Sequence, residues 1–88
     1  MHAMSAERIV VGASGDDDAA REAARRLRDG GHEVVFVGGR QSPAHLVRTA
    51  IAEDATRIVV DADPATLARI VELCEQWQTD GAVAVESV

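Results

Sequence analysis

Four short runs of apolar, mostly β-branched residues alternate along the chain with three stretches in which apolar side chains recur every three or four positions. The runs predict strands and the stretches predict helices, and their alternation is typical of parallel strands joined by crossover helices. Strands are expected at 8–11, 33–37, 57–60 and 82–86, and helices at 16–29, 43–54 and 64–77. We therefore expect one α/β domain.

The short connections between these elements restrict the topology. Right-handed crossovers and short loops favour a flavodoxin-like, doubly wound parallel sheet of four strands in the order 2-1-3-4, with three helices. Residues 7–88 are assigned to this single domain, and residues 1–6 are expected to be a disordered tail. Ser42 before Pro43 and Asp63 before Pro64 predict N-caps of the second and third helices, and Gly30-Gly31 predicts the end of the first.

Composition limits the function classes. At 88 residues, the chain is long enough for one core, which must be built from aliphatic side chains because aromatic residues make up only 2%. Fifteen acidic residues against nine basic ones give a formal net charge of −6, which argues against nucleic acid as a partner. No apolar stretch has membrane-spanning length and no signal sequence is evident, so a cytoplasmic protein with no membrane role is expected. Cys74 falls on an apolar helical stripe and is expected to be a small buried side chain.

The candidate site lies where the two central strands end, because ligands of doubly wound sheets bind at the carboxyl ends of the strands, at the switch point. This places six candidate binding residues at one edge of the sheet: Ser14, Gly15, Asp16, Asp17, Asp61 and Asp63. The aspartates after the first strand are explained by capping of a helix N-terminus, and a weak magnesium or calcium site is the alternative. No catalytic residue and no metal-ligand set is assigned, because neither Ser14 nor Cys74 has a neighbouring base on this edge.

One segment resembles a known family. The residues Gln41–Pro43, followed by Arg48, Ala50, Asp54 and the strand Ile58–Val60, are similar to the Q-T-P-x-E-x-x-R-x-A-x-x-x-D pattern of the cobalamin-binding domains of methylmalonyl-CoA mutase and its relatives. The resemblance implies the same α/β fold and a site for cobalamin. The predicted strands and helices agree with those of the family over most of the chain, but the sequence motif that is specific to the family is short.

Four departures affect what the resemblance implies. The family's D-x-H-x-x-G signature supplies a histidine to cobalt, whereas this chain has Ser14 and Asp16 at the aspartate and histidine positions. A carboxylate is a harder ligand than an imidazole and a poor substitute on cobalt. The family's S-x-L turn is replaced by Asp61–Asp63, whose carboxylates would repel a phosphate-bearing ligand. His45 stands where the family has an acidic residue, and the family's final strand–helix segment has no counterpart before Val88.

These departures lead to an expectation of no bound cofactor, with cobalamin as the alternative. The expected function is that of a small cobalamin-domain-like protein, not an enzyme by itself, which acts through protein contacts as an accessory or regulatory piece of a mutase-type system. Two alternatives stay open: a genuine cobalamin-binding small subunit of a methylmalonyl-CoA-mutase-like isomerase, and a receiver-like or metal-sensing module that uses the acidic edge. An open sheet leaves an unpaired edge strand, so a homodimer or a partner subunit is expected.

Overall fold

The computed structural model describes residues 7–77 and 83–88. Strands and helices alternate along the chain: β1 (Arg8–Ala13), α1 (Asp18–Asp29), β2 (Glu33–Gly38), α2 (Pro43–Ala52), β3 (Arg57–Asp61), α3 (Pro64–Trp77) and β4 (Ala84–Ser87). The predicted disordered tail at 1–6, and the predicted start of the last strand at residue 82, lie outside the described residues. Within the described ranges, no helix combines the length and the apolar character needed to cross a membrane.

The four strands form one parallel sheet in the order β2-β1-β3-β4, which confirms the predicted fold class and topology. Register is set by pairs such as Val10 with Val35 on one side of β1 and Val10 with Ile58 on the other. β1 and β3 are therefore the central strands, and β2 and β4 are the edges. The carboxyl ends of the strands meet at one end of the sheet, which positions the candidate site.

Two apolar cores lie on opposite faces of the sheet because successive strand side chains point to opposite sides. On one face, α2 and α3 cover Val10, Ile58 and Val60, which are fully buried. On the other face, α1 packs its small residues over a smaller core that comprises Ile9, Val11, Ala13, Ala20, Ala23, Ala24 and Val59. The two faces are thus unequally covered, by two helices and by one.

The predicted helix starts and stops are largely confirmed. Ser42 caps α2, since its Oγ accepts a hydrogen bond from the His45 N–H at 3.1 Å, and Asp63 caps α3 through the Thr66 N–H at 2.8 Å. Gly31 adopts φ of 94°, the left-handed conformation that ends α1. Asp17 is the N-cap residue of α1, but its side chain makes no capping hydrogen bond.

Some boundaries differ from the prediction for local reasons. α2 ends at Ala52 and not at Asp54, because Asp54 adopts φ of 56° and leaves the helix. β4 begins at Ala84, since its pairing with β3 starts at Ala84 opposite Arg57. β2 is an edge strand, and its residues Val34–Gly38 are half-buried. Trp77 is half-buried against the larger core, and the Arg48 guanidinium lies 5.3 Å from its ring centroid.

Candidate functional site

The strands β1, β2 and β3 end at the same edge of the sheet. We call the three loops that follow them, 14–17, 38–41 and 61–63, the carboxyl rim. The six predicted site residues all belong to its first and third loops. Ser14, Asp16 and Asp17 follow β1, and Asp61 and Asp63 stand at the end of β3 and the start of α3. The structure therefore brings the predicted residues to the same edge, as the topology requires.

Glycines let the first and second loops of the carboxyl rim approach closely. A Cβ added at Gly39 would lie 2.5 Å from the carbonyl oxygen of Gly15, and one added at Gly12 would lie 2.6 Å from a methyl group of Val37. The Arg40 N–H donates to the Gly15 carbonyl at 2.8 Å. Gly15 itself has nothing within 4 Å of an added Cβ, so its side faces open space. The loop after β1 is consequently fixed by backbone contacts on one side and accessible on the other.

The first and third loops are also joined by backbone. The Ser14 N–H donates to the Asp61 carbonyl oxygen at 3.0 Å, which extends the β1–β3 ladder past its last paired residues. The Ser14 hydroxyl points to the same oxygen at 3.5 Å, a distance at which a hydrogen bond is weak. The two central strands thus remain hydrogen-bonded to each other up to the carboxyl rim.

The rim carboxylates do not converge. Asp17 forms an ion pair with Arg21 at 3.2 Å, and Asp63 accepts the hydrogen bonds that cap α3, which hold the pKa of Asp63 below its usual value. Asp16 is exposed and accepts a 3.3 Å hydrogen bond from the Asp18 N–H. Within the described residues, no three His, Cys, Asp or Glu side chains are arranged to hold a metal ion. Local capping and pairing account for most of these contacts.

A groove that sequence reasoning missed runs beside the smaller core. It lies between α1 and the strands β3 and β4 and has a volume of about 210 Å³. Its floor is Ala23, Leu27 and Val59, and its walls and mouth are formed by Arg26, Arg57, Glu86, Ser87 and Val88. Among the described elements, α1 alone covers this face of the sheet. The groove could have been predicted from the sequence, because the predicted topology places two helices on one face of the sheet and only one on the other. That single helix, α1, leaves β4 uncovered on its face.

Arg57, the first residue of β3, lines this groove at the amino end of the strand. Its guanidinium contacts the carboxylates of Glu7 and Glu86, the latter at 3.3 Å. Glu7 also accepts a hydrogen bond from the Thr56 hydroxyl at 3.0 Å. Hydrogen bonds from Arg57 and Thr56 lower the pKa of Glu7, and the same pairing raises the pKa of Arg57. The charge of Arg57 is therefore compensated, whereas Arg26 forms no ion pair within the described residues.

The segment that carries the family resemblance has a structural role here. The Gln41 side-chain amide donates to the carbonyl oxygens of Val37 and Gly39, both at 3.0 Å, and the Gln41 N–H donates to the Ala13 carbonyl at 2.9 Å. Ser42 and Pro43 then begin α2. Gln41 thus ties the end of β2 to the end of β1 and fixes the second loop of the carboxyl rim.

Comparison with known proteins identifies one partial relative and no matching family model. The chain is similar to the 2-hydroxyisobutanoyl-CoA mutase small subunit of Aquincola tertiaricarbonis, with 43% identity over 44 residues. The matched segment is half of this chain and 32% of the relative, so the similarity spans about a third of the relative's length. The fold defines a doubly wound α/β protein, and the comparison adds partial similarity to a mutase small subunit.

This similarity corrects the expectation that no cofactor is bound. Similarity to a mutase subunit agrees with the resemblance of Gln41–Pro43 to cobalamin-binding domains, and together they point to cobalamin and not to a lost cofactor. The expectation of no cofactor rested on departures from the family's motifs at Ser14, Asp16 and Asp61–Asp63 and on the absent final segment, of which Ser14 and Asp16 bear only on the ligation of cobalt. It took no account of the groove between α1 and β4.

Proposed function

We propose that this chain is a cobalamin-binding small subunit of a mutase-type isomerase, and that a separate chain supplies the catalytic residues. The observation that carries the proposal is the partial match to a mutase small subunit. The parallel sheet with order β2-β1-β3-β4 and the fixed loop at Gln41 support it, because ligands of such sheets bind at the carboxyl ends of the strands.

The donor atoms present do not fit a protein ligand to cobalt at the carboxyl rim. Asp16 offers an exposed carboxylate, and cobalt prefers nitrogen donors. The proposal is therefore confined to the binding of the corrinoid through its organic part, and no reaction step is derived through the metal.

The groove beside α1 suits part of such a ligand. Its volume of about 210 Å³ is smaller than a site that encloses a whole drug-sized molecule, so it receives a portion of the corrinoid and not the ring. Its apolar floor fits a flat aromatic base, and Arg26 at the wall supplies positive charge for a phosphate. The carboxylates of Asp61 and Asp63 belong to the carboxyl rim and do not line this groove.

The role of the chain follows from what these residues can do. They bind and orient a ligand, and burial raises the pKa of the one cysteine, so that its thiol is a poor nucleophile. Chemistry on a substrate then requires residues of another chain. We propose that the carboxyl rim, with its exposed Gly15 and Asp16, faces that chain.

The proposal is tested by mixing the purified protein with hydroxocobalamin, desalting, and recording the visible spectrum. We expect a retained corrinoid in a one-to-one ratio to protein. Val88→Trp should block the groove and abolish retention, whereas Val71→Trp on α3 should not. The two residues are a matched pair because both are 40% exposed and lie on opposite faces of the sheet. Loss of all colour from the wild-type protein on desalting would contradict the proposal.

A further inference from the structure

The strand β2 lies at one end of the sheet, and no strand in the described part of the chain pairs with its outer backbone edge. The Glu33 N–H donates to the Glu7 carbonyl and so points toward β1. Because successive residues of a strand direct their N–H and C=O groups to opposite sides, those of Val34 and Phe36 point away from the sheet. Unpaired strand edges are usually protected by charge, proline or a bulge within the strand. The run Val34–Phe36 has none of these, and the register of β2 with β1 shifts only after it, at Val37.

The other edge of the sheet differs. β4 has four residues, of which three are exposed, and it carries the charged Glu86. Its short length and its charge are features that discourage pairing with another strand. Of the two edge strands, β2 and not β4 is therefore the one that is suited to pair with a further strand.

Helix α1 lies over β2, with the Arg21 guanidinium 5.3 Å from the Phe36 ring centroid. Its charge changes sign along its length. Arg21 is paired with Asp17. Beyond that pair, the lead-in and first half carry Asp16, Asp18 and Glu22, and the last turns carry Arg25 and Arg28 against Asp29. Arg26 is not counted, because it lies on the side of α1 that lines the groove with β3 and β4. Two copies of α1 attract each other side by side only if they run antiparallel, with the acidic half of one against the basic half of the other.

We infer that β2 pairs with β2 of a second copy of this chain, antiparallel, to form a homodimer with one continuous eight-stranded sheet. A two-fold axis normal to the sheet keeps both copies of α1 on the same face and antiparallel, which is the arrangement that their charges favour. The axis passes through Val35. Val34 and Phe36 then exchange N–H···O=C bonds with Phe36 and Val34 of the second copy, and Val35 faces its own counterpart.

This register is preferred because it uses the two outward-pointing residues at the middle of the strand. A shift toward the carboxyl end would place Gly38 in the ladder, and its φ of 85° is not extended. A shift toward the amino end would use the His32 N–H, which already donates to Leu27. Isologous pairing of this kind closes at two copies and leaves the carboxyl rim accessible.

The register gives a cross-linking test. Directly opposed residues in a non-hydrogen-bonded antiparallel pair have Cα atoms about 4.5 Å apart, within the range that a disulfide spans. In a Cys74→Ala background, Val35→Cys should form an intermolecular disulfide under mild oxidation. Val37→Cys is the control, because the two copies of residue 37 are about 13 Å apart in this register, too far for a disulfide.

A proline tests the edge itself. Val34→Pro removes an outward N–H but no bond to β1, whereas Val34→Ala removes side-chain volume and keeps the donor. By light scattering after gel filtration, at about 1 μM to 1 mM, the wild-type protein and Val34→Ala should have twice the 9.3 kDa chain mass. Val34→Pro should be monomeric with an unchanged circular dichroism spectrum.

A monomeric wild-type protein throughout that range would overturn the inference, as would a dimeric Val34→Pro or a cross-link as fast at residue 37 as at residue 35. If Val34→Pro fails to fold, the cross-linking comparison decides the matter alone. The outcome is independent of hydroxocobalamin binding, so the dimer and the proposed function can fail separately.

Discussion

The close approach of Gly39 to Gly15 gives a sharp test of how the carboxyl rim is held. In Gly39→Ala, the new Cβ would lie 2.5 Å from the Gly15 carbonyl oxygen and 3.3 Å from the Asp17 nitrogen, which are backbone atoms that cannot rotate away. The loop after β1 must shift, and the hydrogen bond from the Arg40 N–H to Gly15 is then lost or lengthened.

The expected cost is large for a domain of this size. Overpacking costs about 1–3 kcal/mol, and loss of the hydrogen bond adds about 1 kcal/mol. We therefore expect Gly39→Ala to lower the free energy of unfolding by about 2–4 kcal/mol, against a total of about 4–13 kcal/mol for a chain of this length. The neighbouring Gly15→Ala is the matched control, because its Cβ would enter open space and should change stability by less than about 0.5 kcal/mol.

Urea unfolding followed by circular dichroism measures both variants. A destabilisation of 2–4 kcal/mol corresponds to a fall in the midpoint of about 1–4 M at typical slopes for small domains. The reasoning would be refuted if Gly39→Ala unfolded at the wild-type midpoint, or if Gly15→Ala were destabilised as strongly as Gly39→Ala.

Three further predictions concern stability and reactivity. Because the pKa of Glu7 is lowered from 4.5, its pairing with Arg57 stabilises the fold fully above that pH, and the stabilisation is lost as the pH falls through the lowered pKa. In urea unfolding, Glu7→Gln should be less stable than the wild type at neutral pH and equally stable at a pH below the lowered pKa. Asp63→Ala removes the oxygen that accepts the Thr66 N–H and should lower the midpoint of urea unfolding, whereas Asp63→Asn should largely retain the cap and the wild-type midpoint. The Cys74 thiol, buried and with a raised pKa, should react with a thiol reagent only at the rate of unfolding, and fast reaction in the native state would contradict its burial.

Most of the fold could be predicted because the signals that specify it are local. The alternation of apolar runs and helical stripes indicated the parallel sheet, and the short loops restricted its order. Ser42 and Asp63 were predictable as caps, because a side-chain oxygen before a proline satisfies a free N–H of the first turn. The predicted start of the last strand at residue 82 lies outside the described residues; Val83 is apolar, but the pairing with β3 begins at Ala84.

The candidate site was predictable in position and not in contacts. Topology placed Asp16, Asp17 and Asp61 at one edge, but the pairing of Asp17 with Arg21 depends on rotamers that no pattern specifies. The groove beside α1 depends on the space left between a helix and an uncovered strand, which is a property of packing. The expectation of no cofactor was wrong, since the partial similarity to a mutase small subunit points to a bound cofactor. It had been drawn from departures in short motifs, at Ser14, Asp16 and Asp61–Asp63, and from the absent final segment.

The measurement that tests the proposed function most directly is equilibrium dialysis of the protein against hydroxocobalamin, followed over increasing corrinoid concentration. The account predicts saturation at one corrinoid per chain, with saturation lost in Val88→Trp and kept in Val71→Trp. Absence of saturable uptake up to about 1 mM corrinoid, the weak limit of specific binding, would contradict it.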